Sequence, residues 1–419
     1  MDVSVFTRMA TTHTSIPAQT SALVGRQPIY GQKVDVFGYE LLYRGGDGNQ
    51  ATIVDGDSAT ANVMLNTMLE IGLENIVGNR LAFINMTSNL LVNRLCETLP
   101  KDRVVLEVLE DIEPTDEIIE ALTDLSSQGY TIALDDFIYH PSLQPLVQIA
   151  DMVKVDVMAL SHEEIAEHVL WLRQYPVKLL AEKVETHEDF EFCRSLGFDY
   201  FQGYFFCKPK IIAGARVPAN RMAILMLLAK LQERDVEISE IARKVKSDVS
   251  LSHKLLRYVN SAYCGLPRQV DSIGQAACMV GIDKLRMWVT LMSLVSMEDK
   301  PYELLVTATV RAHMCEQLGR AMGQNGSDQF FTIGLFSVLD GFFDCELSDV
   351  LDSLPLSQEV RHALLDRSGL LGEVLECVIA FEQGTWKDMQ CAQIDPSVIQ
   401  NAYIQAIEWS TQILSNMKG

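Results

Sequence analysis

The chain has no CxxC pair, no cluster of histidines, no long apolar run and no surplus of basic residues. Each shortage removes a class of function. Its nine cysteines are scattered between Cys96 and Cys391. Without paired spacing they form neither a zinc site nor a disulfide framework, and buried free thiols are expected. No run of about 18 apolar residues occurs, so no transmembrane helix and no membrane partner are expected. The richest run, Ala223 to Leu231, is broken by Lys230. Residues Met1 to Ser21 are Thr-rich and lack the charged-then-apolar order of a secretory signal. The expectation is a loose tail over residues 1–21 and a cytoplasmic protein. Lysine and arginine number 34 against 56 acidic residues, a formal charge of −22. A surface this acidic excludes broad nucleic-acid binding, which needs basic groups to displace counterions, so no DNA partner is expected. A phosphate ligand in a pocket stays compatible, because bound metal ions reverse the local sign.

What remains is a chain of 419 residues with 48% hydrophobic content, enough for two or three packed domains. From about Val24 to Ile212, short apolar runs alternate with helical stretches. Strand candidates are Val34–Leu42, Arg80–Met86, Val104–Leu109, Thr131–Leu134, Met152–Val155, Val177–Ala181 and the short Tyr200–Phe201. Helix candidates include Ala59–Leu73, Asp116–Gln128 and His187–Leu196. Repeated β-then-α units predict a parallel sheet, and this many predict a closed, TIM-like β/α barrel over residues 22–213. Gly214 and Pro218 mark a linker within Ala213–Asn220. Beyond it the pattern is helical. Met222, Leu225, Met226 and Ala229 form one stripe, and Leu251, Leu255 and Val259 another. An all-α domain is expected over residues 214–419.

The residues that end the apolar strands carry the chemistry. Glu40, Asn85, Glu107, Asp135 with Asp136, Lys154, Glu182 and Gln202 each close a run that begins apolar. In a β/α barrel those ends point into the active-site mouth. One carboxylate there is an ordinary surface group. A series of oxygen donors suits Mg²⁺ or Mn²⁺, and the absence of a histidine cluster disfavours zinc. Asp135 and Asp136 are sequence neighbours, so both reach one cavity only where the strand ends and turns.

The run Gly38-Tyr39-Glu40-Leu41-Leu42-Tyr43-Arg44 resembles the signature strand of EAL-domain proteins, the cyclic-di-GMP phosphodiesterases, with Leu41 in place of the central Ala. Gln27-Pro28-Ile29, Asn85-Met86-Thr87, Leu106-Glu107-Val108-Leu109-Glu110, Asp135-Asp136-Phe137, Lys154-Val155-Asp156, Ala181-Glu182-Lys183-Val184-Glu185-Thr186 and Phe201-Gln202-Gly203-Tyr204 continue the resemblance in the family's order. It implies opening of cyclic-di-GMP to linear pGpG by two metal ions, Mg²⁺ or Mn²⁺. Glu40, Asn85, Glu107 and Asp135 would ligate the first, and Asp136 the second or both. Lys154 and Glu182 would orient or deprotonate the attacking water, and Gln202 would complete the shell. Gln27, Arg44 and Gln202 would contact substrate, with Glu110 and Glu185 steadying loops. Two positions depart from the family. Ile138-Tyr139-His140-Pro141 stands where Gly-Thr-Gly is usual, in a loop that serves the second metal and the family's dimer. Lys183 replaces a glycine. A homodimer therefore stays open, as does a binder of cyclic-di-GMP, or a scaffold, that does not cleave it.

In the helical half, Leu255-Leu256-Arg257-Tyr258-Val259-Asn260-Ser261-Ala262-Tyr263, Ile273-Gly274-Gln275-Ala276, Val280-Gly281-Ile282 and Leu285-Arg286-Met287-Trp288-Val289 resemble the HDOD domain. No His-Asp dipeptide occurs anywhere in the chain. The metal chemistry of the HD hydrolases is therefore not expected, and His253, His313 and His362 are expected to be solvated or locally bonded. The resemblance implies a regulatory module that engages a protein partner.

Overall fold

The structure is a computed structural model that describes residues 23–44, 72–208, 219–233, 237–246, 248–260, 264, 269–297, 299–324, 327–386 and 394–418. Eight strands close into a barrel in chain order: β1 Leu23–Gly31, β2 Val36–Arg44, β3 Leu81–Met86, β4 Val104–Val108, β5 Thr131–Leu134, β6 Met152–Asp156, β7 Lys178–Glu182 and β8 Tyr200–Gln202. From β2 to β8 neighbours run parallel. β1 runs antiparallel to both β2 and β8, which corrects the expected all-parallel sheet. Gly25 and Pro28 interrupt the apolar pattern of β1 and hide it in the sequence. Pro28 is tolerated because β8 pairs with β1 only over Ile29–Gly31, beyond the proline. Val34, expected within the second strand, instead sits in the β1–β2 turn at φ 59°. Its N–H bonds to the Gly31 carbonyl at 2.9 Å.

The barrel helices are α1 Leu73–Val77, α2 Ser88–Val92, α3 Asp116–Ser127, α4 Gln144–Ile149, α5 His162–Leu172 and α6 His187–Leu196. Thr115, Ser161 and Thr186 cap α3, α5 and α6, each side chain accepting a first-turn N–H. Acidic residues fill those first turns and meet the positive end of the helix dipole. The helix expected over Ala59–Leu73 falls outside the described residues except for its last two positions, where Gly72 precedes α1 and Leu73 opens it.

Inside the barrel Ile29, Phe83, Val105, Ala133, Met152 and Leu180 form an apolar floor, with Phe37, Leu81 and Tyr200 packed against it. Side chains alternate along a strand, so residues two positions on share the inward face. That rule places Gln27, Asn85, Glu107, Asp135, Lys154, Glu182 and Gln202 in the layer above the floor. Glu40 joins them as the register partner of Gln27. Each strand thus delivers one polar side chain to a common level.

The second half consists of α7 Ala219–Gln232, α8 Ile238–Lys246, α9 Val249–Val259, α10 Ile273–Val280, α11 Ile282–Val295, α12 Tyr302–Ala321, α13 Ser327–Phe336, α14 Leu339–Phe343, α15 Leu347–Asp352, α16 Gln358–Asp366, α17 Gly369–Gln383 and α18 Pro396–Lys418. The expected linker lies mostly outside the described residues, and Ala219 already opens α7. Leu251, Leu255 and Val259 are buried as expected. The α7 stripe is corrected, because Met226 is 59% exposed and the buried line runs through Leu225, Leu228 and Leu231. Among the described residues no helix is long and apolar enough to cross a membrane. The described cysteines are mostly buried, Cys278 being exposed. One apolar core runs without a break from the outer face of the barrel into the helices. Within the helical half, Arg311 on α12 forks onto Glu382 at 2.7 and 2.9 Å.

Gly203, just past β8, has φ 148°, and a β-carbon there would stand 2.0 Å from the Val184 carbonyl oxygen. This crossing carries the Val184 N–H to Gln202 O bond, 2.9 Å, that ends β8 beside the site. Gly203→Ala is therefore expected to lower unfolding free energy by about 3 kcal/mol, from overpacking and an unfavourable backbone together. Urea denaturation measures it, and an unchanged midpoint would refute the tight crossing.

Candidate active site

The polar layer converges on one ammonium. Lys154, on β6, is fully buried, and its Nζ lies 2.6 Å from Asp135 Oδ1, 2.7 Å from Glu107 Oε1, 2.9 Å from Glu182 Oε1 and 3.3 Å from Glu40 Oε2. Two amides complete the ring. Gln202 Nε2 donates to Glu40 Oε2 at 2.7 Å and to Gln27 Oε1 at 3.1 Å. Asn85 Nδ2 donates to Glu40 Oε1 at 3.2 Å. The expected residues Gln27, Glu40, Asn85, Glu107, Asp135, Lys154, Glu182 and Gln202 are thus brought together.

Three ammonium protons cannot serve four carboxylates. Glu107 shows the deficit: Oε1 is within ion-pair distance of Nζ, yet among the described residues neither of its oxygens has a hydrogen bond of acceptable angle. Among the described residues, the buried acceptors Glu182 Oε2, Asn85 Oδ1 and Gln202 Oε1 also have no donor. Burial depresses the Lys154 ammonium, but Glu107, Glu182, Glu40 and Asp135 outweigh it and hold the group well above its ordinary value. Burial pushes Glu107 well above the usual carboxyl range, with Lys154 opposing and Glu40 and Asp135 reinforcing. Burial raises Asp135 in the same way and pushes Glu182 up to about 8, again against the pull of Lys154. Glu40 goes the other way. Burial would raise it, but Lys154 and the hydrogen bonds from Gln202, Lys154 and Asn85 bring it below its ordinary value.

Surplus negative charge and unmatched buried oxygens fit a hard divalent cation with oxygen ligands. As they stand, the carboxylates are gathered on the ammonium, and among the described residues no three His, Cys, Asp or Glu side chains form a ready metal cage. The donor chemistry therefore fits a metal ion that exchanges with protons held by the raised carboxyls.

The adjacent aspartates part company. Asp135 points inward, whereas Asp136, at φ 40°, turns to the rim and lies 3.4 Å from Lys183 Nζ. Lys183 is itself left-handed at φ 56° and approaches Asp156 Oδ2 at 2.5 Å. This lysine bridge was not expected from sequence. Its trace there was the replaced glycine. The loop that replaces Gly-Thr-Gly is pinned away from the mouth: Tyr139 lies on Trp171 of α5, with ring centroids 3.9 Å apart, and its N–H bonds to His168 Nε2 at 3.1 Å. His140 caps the following turn through Ser142, a local role. Arg44 ends β2, and its side chain lies outside the described residues. Glu185 pairs with Lys208 at 2.9 Å. Glu110 is exposed in the turn after β4, with no hydrogen bond or ion pair among the described residues.

Against known proteins, the EAL domain family matches residues 27–209 and the HDOD domain family matches residues 217–343. The cyclic di-GMP phosphodiesterase CdgJ of Vibrio cholerae is 35% identical over 400 residues, covering 93% of this chain and 92% of that protein. The uncharacterized protein YuxH of Bacillus subtilis is 31% identical over 404 residues, covering 93% and 98%. The solved calcium and cyclic-di-GMP complex of Klebsiella pneumoniae BlrP1 is 27% identical, covers 47% of this chain and 57% of that one, and has a TM-score of 0.38.

A carboxyl raised on folding binds a proton that the unfolded chain releases. Glu182 therefore makes the metal-free protein less stable as pH rises from the ordinary carboxyl range through about 8. Glu182→Gln mimics the protonated form and should remove that share of the slope, roughly 2 kcal/mol between pH 6 and 8. Urea unfolding in chelator at both pH values checks it, and equal slopes for the two proteins would contradict it.

Proposed function

The chain belongs to the EAL-domain family in the branch that carries a following HDOD domain, and on that premise we propose that it is a metal-dependent phosphodiesterase opening cyclic-di-GMP to linear pGpG. Its setting would be bacterial second-messenger signalling that controls biofilm formation and motility. The observation that carries the reading is the ring of four carboxylates and two amides around Lys154, whose unmatched oxygens call for a cation. Glu40, Asn85, Glu107 and Asp135 would hold one Mg²⁺ or Mn²⁺, and Asp136 a second. When bound, such ions polarise a phosphoryl oxygen and lower the pKa of water.

The chain's own groups then have distinct tasks. Glu182, held 2.9 Å from the Lys154 ammonium, would exchange a proton with the attacking water. Lys154 would hold Glu182 in place and offset charge that develops on the phosphoryl oxygens. Gln202 fixes the orientation of Glu40 through its 2.7 Å bond. Gln27 and Arg44, at the mouth and at the end of β2, would hold substrate. Glu185, through Lys208, would steady the loop that follows β7, a role for which exposed Glu110 has no partner among the described residues. Residues 22–213 form the catalytic unit in this reading. Residues 214–419 form a regulatory unit that takes a protein partner. The protein would work in the cytoplasm.

A second reading is a receptor that binds cyclic-di-GMP intact. It is favoured by Lys183, whose ammonium already spans Asp136 and Asp156 at the rim. Incubation with labelled cyclic-di-GMP separates the two. The phosphodiesterase should yield pGpG with Mg²⁺ or Mn²⁺ and none in chelator, and Glu40→Ala should lower turnover by about 100-fold or more. Saturable binding of intact nucleotide without product, in both metals, would establish the receptor instead.

A further inference from the structure

The barrel's closing strand covers only part of β1. β8 covers β1 only over Ile29–Gly31, and the stretch before Pro28 faces the helical half on that side. There the side-chain amide of Gln400, on α18, takes the place of a ladder partner. The Val24 N–H donates to Gln400 Oε1 at 2.7 Å, and Gln400 Nε2 donates to the Val24 carbonyl at 3.3 Å.

Two further contacts join the helical half to the residues around Lys154. At the mouth, Gln27 Nε2 donates to the carbonyl of Gln383, the last residue of α17, at 3.3 Å. The other end of the same amide accepts from Gln202, which also donates to Glu40. Each amide is oriented by its neighbour, because carbonyl and NH₂ ends are not interchangeable in such a chain. Behind the strand, Tyr39 points outward where Glu40 points inward. Its hydroxyl lies 3.2 Å from both carboxylate oxygens of Glu303 on α12. The Arg26 guanidinium covers the Tyr39 ring at 4.3 Å. Arg26, Tyr39 and Glu303 are all buried, so this anchor is shielded from the screening that weakens surface contacts.

We propose that the helical half is a positioning element of the barrel's active site: the Gln383 carbonyl, through Gln27 and Gln202, and Glu303, through Tyr39, set where the Glu40 carboxylate stands. A ligand or partner that shifts α12 or α17 then alters the site without touching it. This rests on the metal-dependent reading above, so its test includes a readout that does not need turnover.

The experiment uses the full chain, with Mn²⁺ affinity measured by titration calorimetry alongside kcat and KM for cyclic-di-GMP. Tyr39→Phe keeps the ring beneath Arg26 and removes one oxygen. Glu303→Leu removes the acceptor, and Glu303→Gln restores it. Tyr39→Phe and Glu303→Leu should each weaken Mn²⁺ binding and lower kcat by about 10-fold, while Glu303→Gln stays within about twofold of the natural chain. KM should move little. A Tyr39→Phe protein with a lowered melting temperature but unchanged Mn²⁺ affinity and kcat would overturn the proposal. That variant decides the matter even if Glu303→Leu fails to fold. Should the natural chain bind Mn²⁺ yet release no pGpG, hydrolysis fails as a reading while the affinity comparison still judges the positioning role.

Discussion

Lys154 places one positive charge within 3.3 Å of four carboxylates, and the mouth of the barrel is organised around that imbalance. Without the ammonium, four acids this close and this dry could not all ionise. With it, one proton donor is shared among competitors. The carboxyls divide accordingly: Glu40, which collects most of the hydrogen bonds, stays below its ordinary value, while Glu107, Asp135 and Glu182 rise above theirs. A site in this condition is poised to exchange protons for a cation of higher charge. Burial supplies the strength of the effect, since the same groups in water would scarcely sense one another.

Barrel closure is what makes such crowding attainable. In an open sheet, inward residues of distant strands lie far apart. Here eight strands each contribute one polar residue above an apolar floor, and the curve of the sheet aims them at a single point. The floor matters as much as the ring. Phe83, Val105, Met152 and Leu180 fill the interior below, so the polar groups cannot find solvent beneath them.

Much of this was legible from strand-end residues alone. Apolar runs that admit a single polar residue near their far end, Glu107, Lys154 or Glu182, announce both the strand and the side it opens on, because period-2 alternation is a local property. What escaped depends on distance or on exceptions to local rules. β1 was obscured by Gly25 and Pro28, residues that ordinarily argue against a strand. Val34 looks like a strand residue and is bent into a left-handed turn. Met226 continues a helical stripe on paper but faces outward, because periodicity gives a face and not its neighbours. The Lys183 bridge needs two left-handed residues, Asp136 and Lys183, which no propensity would place there. Tyr39 and Glu303 are separated by 264 positions, and neither has a local pattern that names the other.

The bond between Val24 and Gln400 spans 376 positions of sequence. During synthesis, all eight strands leave the ribosome well before Gln400 is made. Through that interval the nascent barrel carries a bare strand edge, the kind of surface that recruits a strand from another chain. The two halves are separate units to a reader of motifs but a single unit to the ribosome and its chaperones. Expressing the barrel half by itself would make that temporary state permanent.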